Sequence, residues 1–297
     1  MCNWYIYTKP FQMKQEIINL YDEYTHKPLP REVFLKRLAI LAGSTTAAMA
    51  ILPMLENNYA VAATVPEQDI ELHTEDITYD AGGVTMKAYL AKPKKDGKYG
   101  GVIVIHENRG LNDHIRDVAR RAAKAGYIAI APDALSADGG TPTDQDQARA
   151  LFSKIDAKQN LVNFSKGFDY LKSRKDCNGF TGCVGFCWGG ALVNQLAVNV
   201  PDLKAAVAFY GRQADAADVP KIKAALQLHY GGLDERINAG IPAYEEALKK
   251  NNVKYELYIY EGVNHAFHND TSGARYNEAA AKLAWKRTLD FWAANMK

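Results

Sequence analysis

Between Val102 and Tyr260, short apolar runs alternate with longer amphipathic stretches. No other feature limits the possible folds as strongly. Val102–Ile105, Tyr127–Ala131, Thr181–Gly185, Ala205–Phe209, Ala225–Tyr230 and Tyr255–Tyr260 are too short for core helices. Most are apolar at consecutive positions, the pattern of strands buried on both faces. Helical spacing falls between and after them: Asp113–Lys124 (apolar at Ile115, Val118, Ala119, Ala122 and Ala123), Gln145–Ile155, Gln159–Ser173, Ala191–Val198, Ala243–Asn251 and a closing helix over Arg275–Asn295. Strands that alternate with helices predict an α/β fold, with a mostly parallel central sheet and helices on both faces. Ahead of them, Ile70–Tyr79 and Val84–Ala91 alternate apolar and polar residues around Gly82-Gly83, which predicts an antiparallel hairpin at the sheet's N-terminal edge.

Residues 1–65 read differently from residues 66–297, which form the expected main domain. A helix is expected around Met13–Tyr24. The run Leu38–Leu55 is apolar and uncharged. Arg31-Glu32-Val33-Phe34-Leu35-Lys36 before it resembles the twin-arginine export pattern, with Glu32 where the second arginine would stand, and Ala60-Val61-Ala62 would suit a small-residue cleavage site. Two readings stay open: a retained helix that packs on the protein, giving a cytoplasmic chain, or an exported, periplasmic one. Gly43, Ser44, Thr45, Thr46 and Pro53 argue against a membrane-spanning helix.

A net charge of +2 with no Lys/Arg-rich block gives no reason to expect a nucleic-acid partner. The four cysteines, Cys2, Cys177, Cys183 and Cys187, form neither a disulfide framework nor a CxxC zinc pair. With no HExxH helix, no metal is expected, and no organic cofactor is indicated.

The chemistry concentrates at Gly185-Phe186-Cys187-Trp188-Gly189-Gly190. A G-x-C-x-G between a buried strand and a helix has the context of a nucleophile elbow, with Cys187 in place of serine. Glycines flank the nucleophile because the turn is sharp, and the amides of the following helix favour a thiolate and an oxyanion. The spacing matches no phosphate-binding glycine loop. Asp234 follows the strand Ala225–Tyr230 and a Gly-Gly pair, and His265 lies in the exit loop of Tyr255–Tyr260. All three fall past the C-terminal ends of strands, where open parallel sheets bind ligands. Their order is nucleophile, acid, base. A thiol needs a base, imidazole supplies one, and a carboxylate orients it. Glu235 and His268 are the rival acid and base.

His106-Glu107-Asn108-Arg109-Gly110, GFCWGG at 185–190, HYGGLDERI at 229–237 and NHAFHND at 264–270 resemble the dienelactone hydrolases, from about Asp76 to the C-terminus. The resemblance implies the α/β-hydrolase fold and a Cys187–His265–Asp234 triad. It implies that Glu107 contacts the resting thiol and moves when substrate binds, which is physically sensible because a carboxylate disfavours a neighbouring thiolate. It also implies an oxyanion hole from the backbone N–H groups of Trp188 and Asn108. Arg109 departs from the family pattern, and Arg275 is the best candidate to pair with a substrate carboxylate. The expected function is hydrolysis of a small lactone or ester, on a monomer or small homo-oligomer. The alternatives are hydrolysis of another acyl bond, such as a thioester or peptide, and small-molecule binding without catalysis.

Overall fold

The computed structural model describes residues 13–59 and 63–297, so the expected cleavage site at Ala60-Val61-Ala62 lies outside the described residues. The chain divides into two compact units. One runs up to Asn58 and includes Ser272–Arg275; the other comprises Tyr59–Thr271 and Tyr276–Lys297.

The described residues of the smaller unit hold three helices, α1 (Gln15–His26), α2 (Arg31–Ala42) and α3 (Thr45–Leu55). Their apolar faces meet around Ile17, Leu20, Tyr24, Phe34, Leu38, Leu52 and Leu55. The Tyr24 and Phe34 rings stack at 4.3 Å. The apolar run Leu38–Leu55 is broken: Gly43 adopts φ 88° at the end of α2, and the Ser44 side chain accepts from the Ala47 N–H to start α3. The two helices bend by 109°, and among the described residues no single helix is long and apolar enough to cross a membrane.

The larger unit is built on an eight-stranded sheet of order β1-β2-β4-β3-β5-β6-β7-β8. The strands are β1 (Leu72–Asp80), β2 (Thr85–Pro93), β3 (Tyr99–Ile105), β4 (Tyr127–Pro132), β5 (Cys177–Phe186), β6 (Ala205–Phe209), β7 (Ala225–Gly231) and β8 (Tyr255–Tyr260). β1 and β2 form the expected antiparallel hairpin, in register from Leu72–Pro93 to Asp80–Thr85. β2 then pairs antiparallel with β4, and all later pairings are parallel. Side chains alternate faces as period two demands. Val102 and Val104 of β3 join one core with Ile115 and Val118 of α4 (Asp113–Lys124) and Phe291 and Trp292 of α10 (Glu278–Asn295). Ile103 and Ile105 join the opposite core with Phe164 and Phe168 of α6 (Ala157–Ser173), Val193 and Leu196 of α7 (Trp188–Asn199) and Leu248 of α9 (Ile241–Lys250). The remaining α-helices among the described residues of this unit are α5 (Gln145–Phe152) and the short α8 (Glu235–Asn238), and two 3-10 turns lie at Ser136–Asp138 and Ala216–Lys221.

Two helix starts differ from expectation. The last helix begins at Glu278, not Arg275, because the Asn277 side chain caps it by accepting from the Ala280 N–H. α7 begins at Trp188, not Ala191, because the two glycines after Trp188 are helical and not part of a turn.

Polar pairs are also buried. Asp117 of α4 accepts the N–H groups of Thr64 (3.0 Å) and Val65 (2.8 Å) and pairs with Arg121 (2.5 Å). Asp117→Ala would strand these donors, and breaking a buried pair costs about 3–5 kcal/mol. A marked fall in the midpoint of thermal unfolding is expected, with less effect for Asp117→Asn.

On β7, the buried His229 donates from Nε2 to Gln227 Oε1 at 2.9 Å, since Gln227 Nε2 donates to Glu256. Nδ1 therefore accepts from the Tyr260 hydroxyl at 3.0 Å. Burial, with a smaller push from Arg287, lowers the His229 pKa to about 3 from an ordinary 6.5. This depressed value means that the unfolded chain takes up the proton first. Stability is complete above about pH 6.5 and drains away as pH falls toward 3. Replacing His229 by Gln should flatten the stability–pH slope in that window, by at most about 1.4 kcal/mol per pH unit. Denaturant titrations at stepped pH read this out.

Candidate active site

The chain crosses from β4 over β3 to β5, so the exits of β3 and β5 diverge at a switch point of the sheet. Cys187 follows β5 with φ 55° and ψ −111°, a backbone conformation uncommon outside glycine. Its N–H bonds Phe209 O at 3.0 Å, and its carbonyl accepts from the Ala191 N–H at 3.0 Å, locking the turn between β6 and α7. A Cβ on Gly185 would stand 2.2 Å from Gly189 O, and one on Gly189 would stand 2.5 Å from Ile105 O and 2.6 Å from His106 O. The bare backbones thus bring the first turn of α7 against the chain leading into Glu107 and Asn108. As the first residue of α7, Trp188 has no intrahelical acceptor for its N–H.

The other two residues arrive from β7 and β8. Asp234 Oδ2 bonds His265 Nδ1 at 2.5 Å, and both side chains are buried. Asp234 Oδ1 also accepts from the Ile237 N–H at 3.3 Å, so this carboxylate both orients the imidazole and caps α8. Cys187 Sγ and a ring nitrogen of His265 lie within 4.8 Å of one another. The rival His268 is turned away: its ring stacks on Phe186 at 4.8 Å, and burial holds its pKa well below the ordinary range. Cys183 sits in the opposite core, where burial raises its thiol pKa.

Glu107 is buried at the exit of β3. Its Oε2 accepts from Asn269 Nδ2 at 2.7 Å and its Oε1 from the Tyr210 hydroxyl at 3.3 Å. Sequence reasoning missed both partners. Tyr210 could have been found, because it directly follows the strand Ala205–Phe209 at the active edge. Its ring lies 4.8 Å from that of His265. His106 was also given no role. The Ala134 N–H donates to its Nε2 at 3.1 Å, so Nδ1 carries the proton and donates to Glu107 O at 2.6 Å. Burial keeps this imidazole neutral by lowering its pKa. The ring stacks on Trp188 at 5.5 Å, and Phe152 meets Trp188 edge-on at 4.8 Å, which builds an aromatic cluster on the residue that follows Cys187. Below the loop, Thr141 Oγ1 accepts from the Leu111 N–H at 2.9 Å and donates to Asp133 at 2.8 Å.

The two arginines part company. Arg109 Nη1 donates to the carbonyl (3.1 Å) and side-chain oxygen (2.9 Å) of Asn108. Arg275 lies in the helical unit, bonded to Ser272 Oγ (2.9 Å) and Asn57 Oδ1 (3.1 Å), with its guanidinium 4.9 Å from the Tyr21 ring centre. These contacts commit it to that unit's packing.

Residues 86–296 match the sequence pattern of the Dienelactone hydrolase family. The chain belongs to that family. A Salmonella typhimurium protein named "Putative carboxymethylenebutenolidase" is 35% identical over 260 residues, covering 80% of this chain and 95% of its own. One of the same name from Saccharolobus solfataricus is 34% identical over 258 residues, covering 73% and 97%. Among solved structures, a protein titled "Putative Dienelactone Hydrolase" from Klebsiella pneumoniae superposes with a TM-score of 0.69 at 31% identity, covering 75% of this chain and 98% of that one. The α/β-hydrolase fold expected from the sequence is the fold of these dienelactone hydrolases.

The close backbone approach at the elbow is testable in any member of the family with this geometry. Gly189→Ala should displace α7 from β3. Folded protein is expected to be scarce, and whatever accumulates should have lost most of its turnover, as read by circular dichroism and ester hydrolysis together.

Proposed function

We propose that this dienelactone hydrolase family member cleaves a small lactone or carboxylic ester by a carboxymethylenebutenolidase-like reaction, with Cys187 as nucleophile, His265 as base and Asp234 as the residue that orients the base. The observation that carries this reading is the 2.5 Å bond from His265 Nδ1 to Asp234, with the Cys187 sulfur within 4.8 Å of the same ring. With Nδ1 bonded to Asp234, proton transfer is assigned to Nε2.

The thiol gives its proton to His265 and the thiolate attacks the acyl carbon. The N–H groups of Trp188 and Asn108 hold the resulting oxyanion, a contribution that reaches about 3–4 kcal/mol in related chemistry. Collapse breaks the C–O bond, and the imidazolium protonates the departing alkoxide, which in a lactone stays tethered to the acyl chain. Water, deprotonated by His265, then opens the thioester and returns the thiol. Glu107, a carboxylate in the same site, disfavours the thiolate until substrate displaces it. Arg109, held beside Asn108, is the proposed partner for a substrate carboxylate. Arg275 is given no part, because its guanidinium is occupied in the helical unit.

A dienelactone and p-nitrophenyl acetate should be assayed side by side with wild type, Cys187→Ala and Asp234→Asn. Cys187→Ala is expected to lose turnover of both. Asp234→Asn should keep the α8 cap, since asparagine caps as well as aspartate, yet lower kcat by about 10⁴. Full activity in Cys187→Ala would overturn the mechanism. Ester turnover without lactone turnover would retain the triad and remove the carboxymethylenebutenolidase assignment.

A further inference from the structure

We infer that Asn269 is the positioning residue for Glu107, so that one loop carries both the base and the hold on the carboxylate that governs the thiol. The inference rests on the role given to Glu107 above.

Three observations support it. First, the Asn269 amide has one allowed orientation. Its Oδ1 accepts from the Thr271 N–H at 3.1 Å and lies 2.6 Å from Thr271 Oγ1. A backbone N–H can only donate, so the NH₂ end must face Glu107, where the 2.7 Å bond is made. Glu107 Oε2 is therefore fixed as an acceptor. Second, the partners of Glu107 among the described residues, Asn269 and Tyr210, are both neutral donors, and both are fully buried. They hold the carboxylate without cancelling its charge, which is what a group acting on a nearby thiol requires. Third, the loop from His265 to Thr271 is fastened at several points. The Asn269 N–H bonds Ala266 O at 3.0 Å, and Asp270 is tied to α4 by His114 at 2.8 Å and by Arg121. Asn269 therefore stands four residues beyond the base on a rigid support.

A charge-sensitive readout separates positioning from mere support. Cys187 is alkylated with neutral iodoacetamide and anionic iodoacetate, and the ratio of the two rate constants is taken after subtracting a Cys187→Ala background. The Glu107 charge should repel iodoacetate, so Glu107→Gln is expected to raise the iodoacetate-to-iodoacetamide ratio, on the order of tenfold. Asn269→Leu removes the donor that holds the Glu107 carboxylate in its place. It should raise the ratio in the same sense, and the double variant should go no further than Glu107→Gln alone. A general loosening of the site would speed both reagents equally. An unchanged ratio in folded Asn269→Leu, or full additivity in the double variant, overturns the inference. If Asn269→Leu does not fold, Thr271→Val, which loosens the amide's anchor, decides by the same ratio: a smaller rise supports positioning and no rise overturns it. An unmoved ratio in Glu107→Gln would remove the role of Glu107 and that of Asn269 with it. The triad itself is judged separately, by turnover in Cys187→Ala.

Discussion

The site depends on a contact between bare backbones. The first turn of α7 can lie against the ends of β3 and β6 only because no side chain stands between them. A Cβ on Gly190 would meet Phe209 O at 2.5 Å, just as one on Gly189 would meet Ile105 O. This approach lets Cys187 take its positive-φ conformation and brings the first turn of α7 against the chain that leads into Glu107 and Asn108. The rest of the larger unit holds those strand ends in place. Val102 and Val104 pack on one layer of helices, and Ile103 and Ile105 pack on the other.

On that frame the candidate site is assembled from the exits of successive strands: Glu107 from β3, Cys187 from β5, Tyr210 from β6, Asp234 from β7 and His265 from β8. Two residues here do two jobs. Asp234 caps α8 while holding His265, and His106 anchors the Glu107 carbonyl while stacking on Trp188. The chemistry is thus tied to the packing, and a change in one is felt in the other.

Much of this was legible in the sequence because it is local. The elbow is six consecutive residues, and the strands announce themselves through short apolar runs between helical stretches. What escaped was written across long separations. Asn269 meets Glu107 from 162 residues away, and Tyr210 from 103. Neither pairing has a periodicity or spacing to signal it. The partners of Arg275 were hidden for the same reason: an arginine soon after the expected base suggests a substrate contact, whereas its guanidinium bonds Asn57, 218 residues earlier. The break at Gly43 and Ser44 was visible as a weakness in an apolar run; its 109° bend was not.

The hold of Asp117 on the chain entering the larger unit bears on how that unit tolerates cutting. The two amides it accepts belong to Thr64 and Val65, and Arg120 adds a bond to Val65 O at 2.7 Å. These bonds hold the backbone there in place against α4. A protease that cut anywhere before Thr64 would leave all three bonds made, and the new N-terminus would emerge from an anchored stem instead of fraying into β1. The clasp marks the point at which the hydrolase body begins, whatever becomes of the residues ahead of it.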